Sequence, residues 1–213
     1  MAEPCLKAKG WGGRQDAFVT WWRRTHFENS MMDALLHKKH TPYREIGHRA
    51  IADTLERAGI GYMMEEVRFL AGQIEQLKPF PDVPAALARL HSRYKIAVLS
   101  NGDPDMLEAA KPVHGIAFDA VISVATASFF KPHFATYTKA AELMSVNLYE
   151  VLFVADHAFD CIGAKAARMF TAIIDRRARP FGITPYLPDL VATDMQVLAG
   201  MEDLQALALC LGQ

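Results

Sequence analysis

Residues 95–107, KIAVLSNGDPDML, decide the fold. Ile96, Ala97, Val98 and Leu99 form an apolar run without a polar break, the pattern of a parallel strand buried on both faces. Ser100, Asn101 and Gly102 end the run, and Asp103-Pro104 opens a helix with proline in its first turn. Such a junction puts a hydroxyl, an amide and free backbone N–H groups at the carboxyl edge of a sheet. Open α/β sheets bind ligands at that edge, and a helix N-terminus favours an anion. Taken alone, the stretch requires no more than a strand–turn–helix junction with capping residues.

Working outward, the chain alternates on both sides of this strand. The patterning predicts helix over 85–93, strand over 95–99, helix over 104–111 and strand over 120–124. It continues with helix over 133–144, strand over 151–155, helix over 158–168 and strand over 171–174. A short strand near Val191 and a closing helix over 201–211 complete the series. Strands alternating with helices imply a doubly wound parallel sheet covered on both faces, an α/β fold.

The N-terminal third reads differently. Residues 1–13 form an irregular lead-in. From Asp16, Phe18, Trp21, Trp22, Phe27, Met31, Met32, Leu35 and Leu36 recur at three- and four-residue intervals, an amphipathic helix. Thr41-Pro42 starts a second helix with Ile46, Ala50, Ile51 and Leu55 on one face. A third, over 63–76, carries Val67, Phe69, Leu70 and Ile74, and the proline-rich segment 79–84 is a rigid, hinge-like connector. The expected division is a helical cap over 14–78 and an α/β core over 79–213.

The 213 residues suffice for one sizeable domain or a core with a smaller cap. With 51% hydrophobic residues and a net charge of −1, the chain offers no electrostatic case for nucleic acid or a membrane surface. Cys5, Cys161 and Cys210 are too scattered for a disulfide framework or a zinc site. No apolar stretch reaches the length of a membrane span, and a reducing cytoplasm is the expected location.

Polar residues of a matched kind follow three of the strands. Ser100-Asn101 follow the first, Lys131-Pro132 lie a short loop after the second, and Asp156 and Asp160 flank His157 after the third. The i,i+4 spacing predicts both carboxylates at a helix start facing one pocket, where a lysine and a Ser/Asn pair balance an anion and orient water. Each residue also has a purely structural reading. Lys131 is a surface charge, Asp156 an N-cap, Asp160 a first-turn acid, His157 a loop histidine and Tyr137 a half-buried helix aromatic.

In this order the motifs resemble the haloacid dehalogenase superfamily, and within it the type II L-2-haloacid dehalogenases. LSNGDPDML is similar to that group's second motif, FKPHFATY (130–137) to its third, and FVADHAFDCIGAKAA (153–167) to its fourth. WRRTHFENSMMDALL (22–36) resembles its first cap helix. The resemblance implies a core with a helical cap and conversion of a small 2-haloacid to a 2-hydroxy acid, with no cofactor and a possible homodimer. An aspartate attacks the halogen-bearing carbon, and water then attacks the ester carbonyl. Carried over, Ser100 and Asn101 orient the reactants, Lys131 offsets carboxylate charge and Asp160 positions the water. Arg23, Tyr137, His157 and Phe159 fall at the substrate.

Two departures shape the expectation. The family's first motif, an apolar strand ending in the nucleophilic aspartate, is not found ahead of the cap, where Asp16 has no strand before it. The chain is therefore expected to be truncated or to take that strand from elsewhere, to miss the first central strand of its sheet, and to be impaired as a dehalogenase. The fourth motif carries Asp156-His157 where the dehalogenases have Ser-Asn. Asp156 with Asp160 is similar instead to the paired acids that bind magnesium in the superfamily's phosphatases. A magnesium-dependent phosphatase and a non-catalytic binder of small anions or of a protein partner are the alternatives.

Overall fold

The structure is a computed structural model in which residues 9, 12–36, 40–115, 117–202 and 204 are described. Most of the expected lead-in over 1–13 and of the closing helix over 201–211 lies outside these residues.

Three helices make the cap. Helix α1, Gln15–Leu35, follows Gly12-Gly13 and carries Asp16 in its first turn, where the helix dipole favours an acid. Helix α2, Tyr43–Arg57, starts at Pro42 and buries the predicted face: Ile46, Ala50, Ile51 and Leu55 are each at most 3% exposed. Helix α3, Met64–Gly72, runs into a 3₁₀ turn at Gln73–Gln76, and the Glu66 carboxylate accepts from the Met63 N–H at 2.8 Å to close its first turn. Phe18, Ile51, Leu55, Val67 and Leu70 form the cap's own core. The predicted stripe on α1 is buried only in part, because Met32, Leu35 and Leu36 face solvent, as does Phe69 on α3.

The connector at 79–84 is anchored rather than free. Both Asp82 carboxylate oxygens accept from the Arg176 guanidinium at 2.9 and 2.8 Å, and Oδ2 also accepts from the Met195 N–H at 2.9 Å. The Arg176 hydrogen bonds hold the Asp82 carboxyl down at about 2. Arg176 also stacks 4.2 Å from the Phe80 ring centroid.

The α/β part runs α4 (Val83–His91), β1 (Ala97–Ser100), α5 (Pro104–His114), β2 (Ala120–Ser123) and α6 (Phe134–Met144). It continues β3 (Leu152–Ala155), α7 (Ala158–Ala166), β4 (Phe170–Ile174), β5 (Leu190–Ala192) and α8 (Met195–Gly200). Every strand pair is parallel, as the alternation predicts. The pairing falls into two sheets, β1-β2 and β3-β4-β5, so among the described residues one edge of β1 and one edge of β3 carry no strand. This corrects the expectation of a fully buried β1. Ala97 is exposed and the rest of β1, like all of β3, is half-buried, whereas four of the five residues of β4 are buried between two partners. The helix predicted only from residue 201 onward is preceded by α8, whose N-cap Asp194 accepts from the Val197 N–H at 2.8 Å.

Strand β3 alternates as a covered strand must. Leu152 and Val154 pack with Ala172, Ile174 and Leu198 on one face. Phe153 packs on the other with Tyr137, Ala141, Ala164 and Met169, a cluster that Leu99 of β1 also joins. The two sheets therefore share the α6–α7 helix pair as one cover. The cap meets the α/β part through Ala34, Ile46, Val124 and Phe130.

Two stability tests follow from this packing. Phe130 is 0% exposed at the cap–core junction, so Phe130→Ala is expected to cost about 3–5 kcal/mol, read from urea midpoints. His26 on α1 is 5% exposed and stacks on Tyr43 at 4.2 Å between ring centroids. Burial pushes its pKa down to about 4, opposed by a backbone hydrogen bond at Tyr43. The unfolded chain thus takes up the proton first, and this residue's contribution is intact above pH ~6.5 and lost as pH falls toward 4, about 3 kcal/mol in all. Urea titrations across that range should show the loss, reduced in His26→Phe.

Candidate active site

The site lies at the carboxyl ends of β1 and β3, beneath the cap. Ser100 and Asn101 leave β1 in a tight turn: the Gly102 N–H donates to Ser100 Oγ at 3.1 Å, and Ser123 Oγ donates to the Gly102 carbonyl at 2.6 Å. A Cβ on Gly102 would lie 3.2 Å from Leu107, so the turn is packed against α5. Asn101 is 8% exposed, and its Oδ1 accepts from the Lys131 backbone N–H at 3.1 Å, tying the β1 turn to the loop before α6. Its Nδ2 has no partner among the described residues and remains a donor for a ligand.

Lys131 reaches Asp160 in the first turn of α7, with Nζ 3.0 Å from Oδ1 and both side chains about nine-tenths buried. The approach is at ion-pair distance but off the hydrogen-bond direction, leaving Oδ1 without a hydrogen bond among the described residues. Nζ also lies 5.8 Å from the Phe153 ring centroid on β3. Ser100, Asn101, Lys131 and Asp160 line one cleft of about 310 Å³, walled by Phe27, Leu107 and Phe159. Hydroxyl, amide and ammonium donors beside an apolar wall suit a small carboxylate with a short apolar body.

Other expected residues are placed differently. Asp156 does not line the cleft: its Oδ2 takes Arg177 Nη2 at 3.0 Å, away from the Lys131 partner of Asp160. Among the described residues no group of three or more metal-ligating side chains occurs. Tyr137 is wholly buried behind the site, not at it, and its hydroxyl donates to the Asp160 backbone carbonyl at 3.1 Å. Gly163 makes this possible, since a Cβ there would collide with Tyr137 Oη and lie 2.7 Å from Pro132 Cβ.

Arg23 and His157 form the rim. Arg23 Nη2 donates to His157 Nε2 at 2.8 Å across the cap–core gap. An arginine only donates, so Nε2 accepts and the ring is neutral with its proton on Nδ1. Burial, chiefly, lowers the His157 pKa, with Arg23 adding to it and Asp156 opposing. One turn on, Phe27 packs against His157 and Phe159 at 5.4 and 5.1 Å between centroids.

Two residues that sequence reasoning passed over complete the site. Asp103, expected only to open α5, makes no cap hydrogen bond to its own helix. Its two carboxylate oxygens instead accept from the Tyr43 and Arg44 N–H groups at 2.8 and 3.0 Å, capping cap helix α2 from the core. The signal was half-present, because Pro42 leaves α2 without a side-chain cap of its own. Tyr43 then overhangs the cleft, and burial, with the Asp160 charge second, pushes its hydroxyl up to about 12, so it stays a protonated donor.

Fold and cleft together define a helically capped parallel α/β protein with a buried lysine–carboxylate pair at the strand ends. The sequence profile described as "Hydrolase: haloacid dehalogenase-like hydrolase" matches residues 12–168. The chain is 36% identical over 159 residues to the (S)-2-haloacid dehalogenase of Xanthobacter autotrophicus, an alignment spanning 74% of this chain and 62% of that protein. It is 26% identical to the (S)-2-haloacid dehalogenase of Pseudomonas sp. strain YL, over 87% of this chain and 81% of that one. Among solved structures, the Xanthobacter autotrophicus L-2-haloacid dehalogenase with chloropropionic acid covalently bound superposes with a TM-score of 0.82 at 30% identity, over 93% of this chain and 89% of that chain. This chain belongs to the haloacid dehalogenase-like hydrolases. Among the described residues no helix is long and apolar enough to cross a membrane.

The Asp103 cap is testable. Asp103→Ala should cost about 1–2 kcal/mol of stability, and hydrogen exchange at the first turn of α2 should accelerate more than exchange in β4.

Proposed function

We propose that the cleft is a 2-haloacid dehalogenase site whose attacking carboxylate is not among its described residues. The observation that carries this reading is the buried Lys131–Asp160 pair set beside the Ser100 and Asn101 donors and an apolar wall. Two acids line the cleft, and each is already paired: Asp160 with Lys131, and Glu75 with Arg44 at 3.1 Å. Among the described residues one edge of β1 and one edge of β3 are unpaired, which leaves the place for one more parallel strand, whose carboxyl end would fall beside Lys131.

In this reading the substrate is a small 2-haloacid, held at its carboxylate by Ser100 and Asn101, with Arg23, His157 and Phe159 closing the rim. A carboxylate at the end of the added strand displaces halide, which leaves with the bonding electron pair, and an ester forms. Water positioned by Asp160 attacks the ester carbonyl and releases the 2-hydroxy acid and the free carboxylate. Lys131 offsets the charge of the two acids. The covalently bound chloropropionic acid in the similar Xanthobacter structure supports the ester step.

A nucleophile fixed in line supplies about 7–11 kcal/mol of the barrier reduction. Chloride release from (S)-2-chloropropionate by the 213-residue chain is therefore expected to be negligible. Extension upstream with an apolar strand ending in aspartate should restore it, and Lys131→Ala in the extended chain should abolish it again. Robust turnover by the unextended chain that survives loss of Asp160 would show the nucleophile to be misplaced. Magnesium-dependent hydrolysis of an aryl phosphate would favour the phosphatase instead, and silence of the extended chain on both substrates would favour a non-catalytic anion binder.

A further inference from the structure

A second pocket of about 180 Å³ lies between the cap helices and the first turn of α5, sharing Tyr43 with the cleft. Tyr43, Ile74, Glu75 and Met106 line both spaces and form the wall between them. The pocket holds more than a single water, whose share of liquid volume is about 30 Å³.

His26 is 5% exposed, and its Nε2 has no hydrogen-bond partner among the described residues. A buried ring nitrogen left unpaired is costly, so the site has room for a group that satisfies it. Burial keeps this ring neutral, and a neutral imidazole does not select a bare anion. A hydroxyl pairs with Nε2 in either tautomer, because it both donates and accepts.

The charges on the wall are uneven. Arg44 is committed to Glu75 and Asp105 at 3.1 and 2.8 Å, so those charges balance locally. Arg68 has no acidic partner among the described residues, and with Arg44 it depresses the pKa of the neighbouring His48, although burial is the larger cause there. The remaining wall is small and apolar, with Ala71, Ile74 and Met106.

We propose that this pocket binds a small 2-hydroxy carboxylate, its hydroxyl on His26 Nε2, its carboxylate toward Arg68, and its short carbon chain against Ala71, Ile74 and Met106. The assignment rests on the pocket's own residues and stands whether or not the adjoining cleft dehalogenates. Because Tyr43 belongs to both walls and is tied to the core by Asp103, occupancy of the pocket bears on the roof of the cleft.

The test follows the His26 ring proton by NMR while L-lactate is added, with propionate as the analogue lacking the hydroxyl. Lactate should give a saturable shift, and propionate should bind about tenfold more weakly, the loss of one buried hydrogen bond. Arg68→Ala, an exposed change that leaves the cap core intact, should weaken lactate about tenfold or more through loss of a charge-assisted contact. Ala110→Phe, which fills the cleft from α5 without touching this pocket, should leave the His26 titration unchanged. An absent or non-saturating shift, equal affinity for propionate, indifference to Arg68→Ala, or loss of the shift in Ala110→Phe would each overturn the assignment. Chloride release is measured separately, so failure of the dehalogenase reading leaves this result interpretable.

Discussion

The Asp103 carboxylate is the contact on which the site's geometry depends. It stands at the start of α5, one residue past the turn that presents Ser100 and Asn101, yet both of its oxygens serve the first turn of α2, about 60 residues earlier in the chain. The two ends of the site are thus locked to one another through a single side chain. The macrodipole of α2 and its otherwise uncapped N–H groups favour a carboxylate there. Arg44, the next residue, reaches back to Asp105 and strengthens the same junction. Ala34, Ile46, Val124 and Phe130 close behind it as an apolar seal. Polar contacts set the register of cap on core, and apolar burial supplies most of the adhesion.

Beneath that roof, the interior is organised around an ion pair rather than an apolar plug. Lys131 and Asp160 are both largely withdrawn from water, an arrangement that is stabilising only when each charge has its partner. The Lys131 backbone is fixed by Asn101, and the Asp160 backbone by the Tyr137 hydroxyl. Neither charge can drift without breaking a second contact. Tyr137 and Gly163 act through this positioning: the ring fills the space a Cβ would need, and α7 sits close enough for its first turn to face the lysine.

The divided sheet explains the uneven burial of the strands. β4 has a neighbour on each side and a helix layer on each face, and it is the most deeply buried strand. β1 and β3 carry equally apolar sequences but each has one open edge among the described residues, and both remain half-exposed. Leu99 of β1 and Phe153 of β3 pack against the same cover, the α6–α7 pair.

The alternation of apolar runs with helical patterns was enough to set the parallel α/β class, the helical cap and the order of elements, because period and chain direction are local properties. It also marked Ser100, Asn101, Lys131 and Asp160, since residues just past strand ends share one edge of a parallel sheet. What the sequence did not determine is which side chain meets which. Asp156 and Asp160 are four apart on paper, yet one turns to Arg177 and the other to Lys131. Asp103 reads as a cap for its own helix and caps another. Tyr137 lies behind the site, and Tyr43, Ile74, Glu75 and Met106 form a wall between two pockets that no spacing rule announces. Those outcomes depend on contacts between residues tens of positions apart, where burial and charge pairing in the assembled fold override the local pattern.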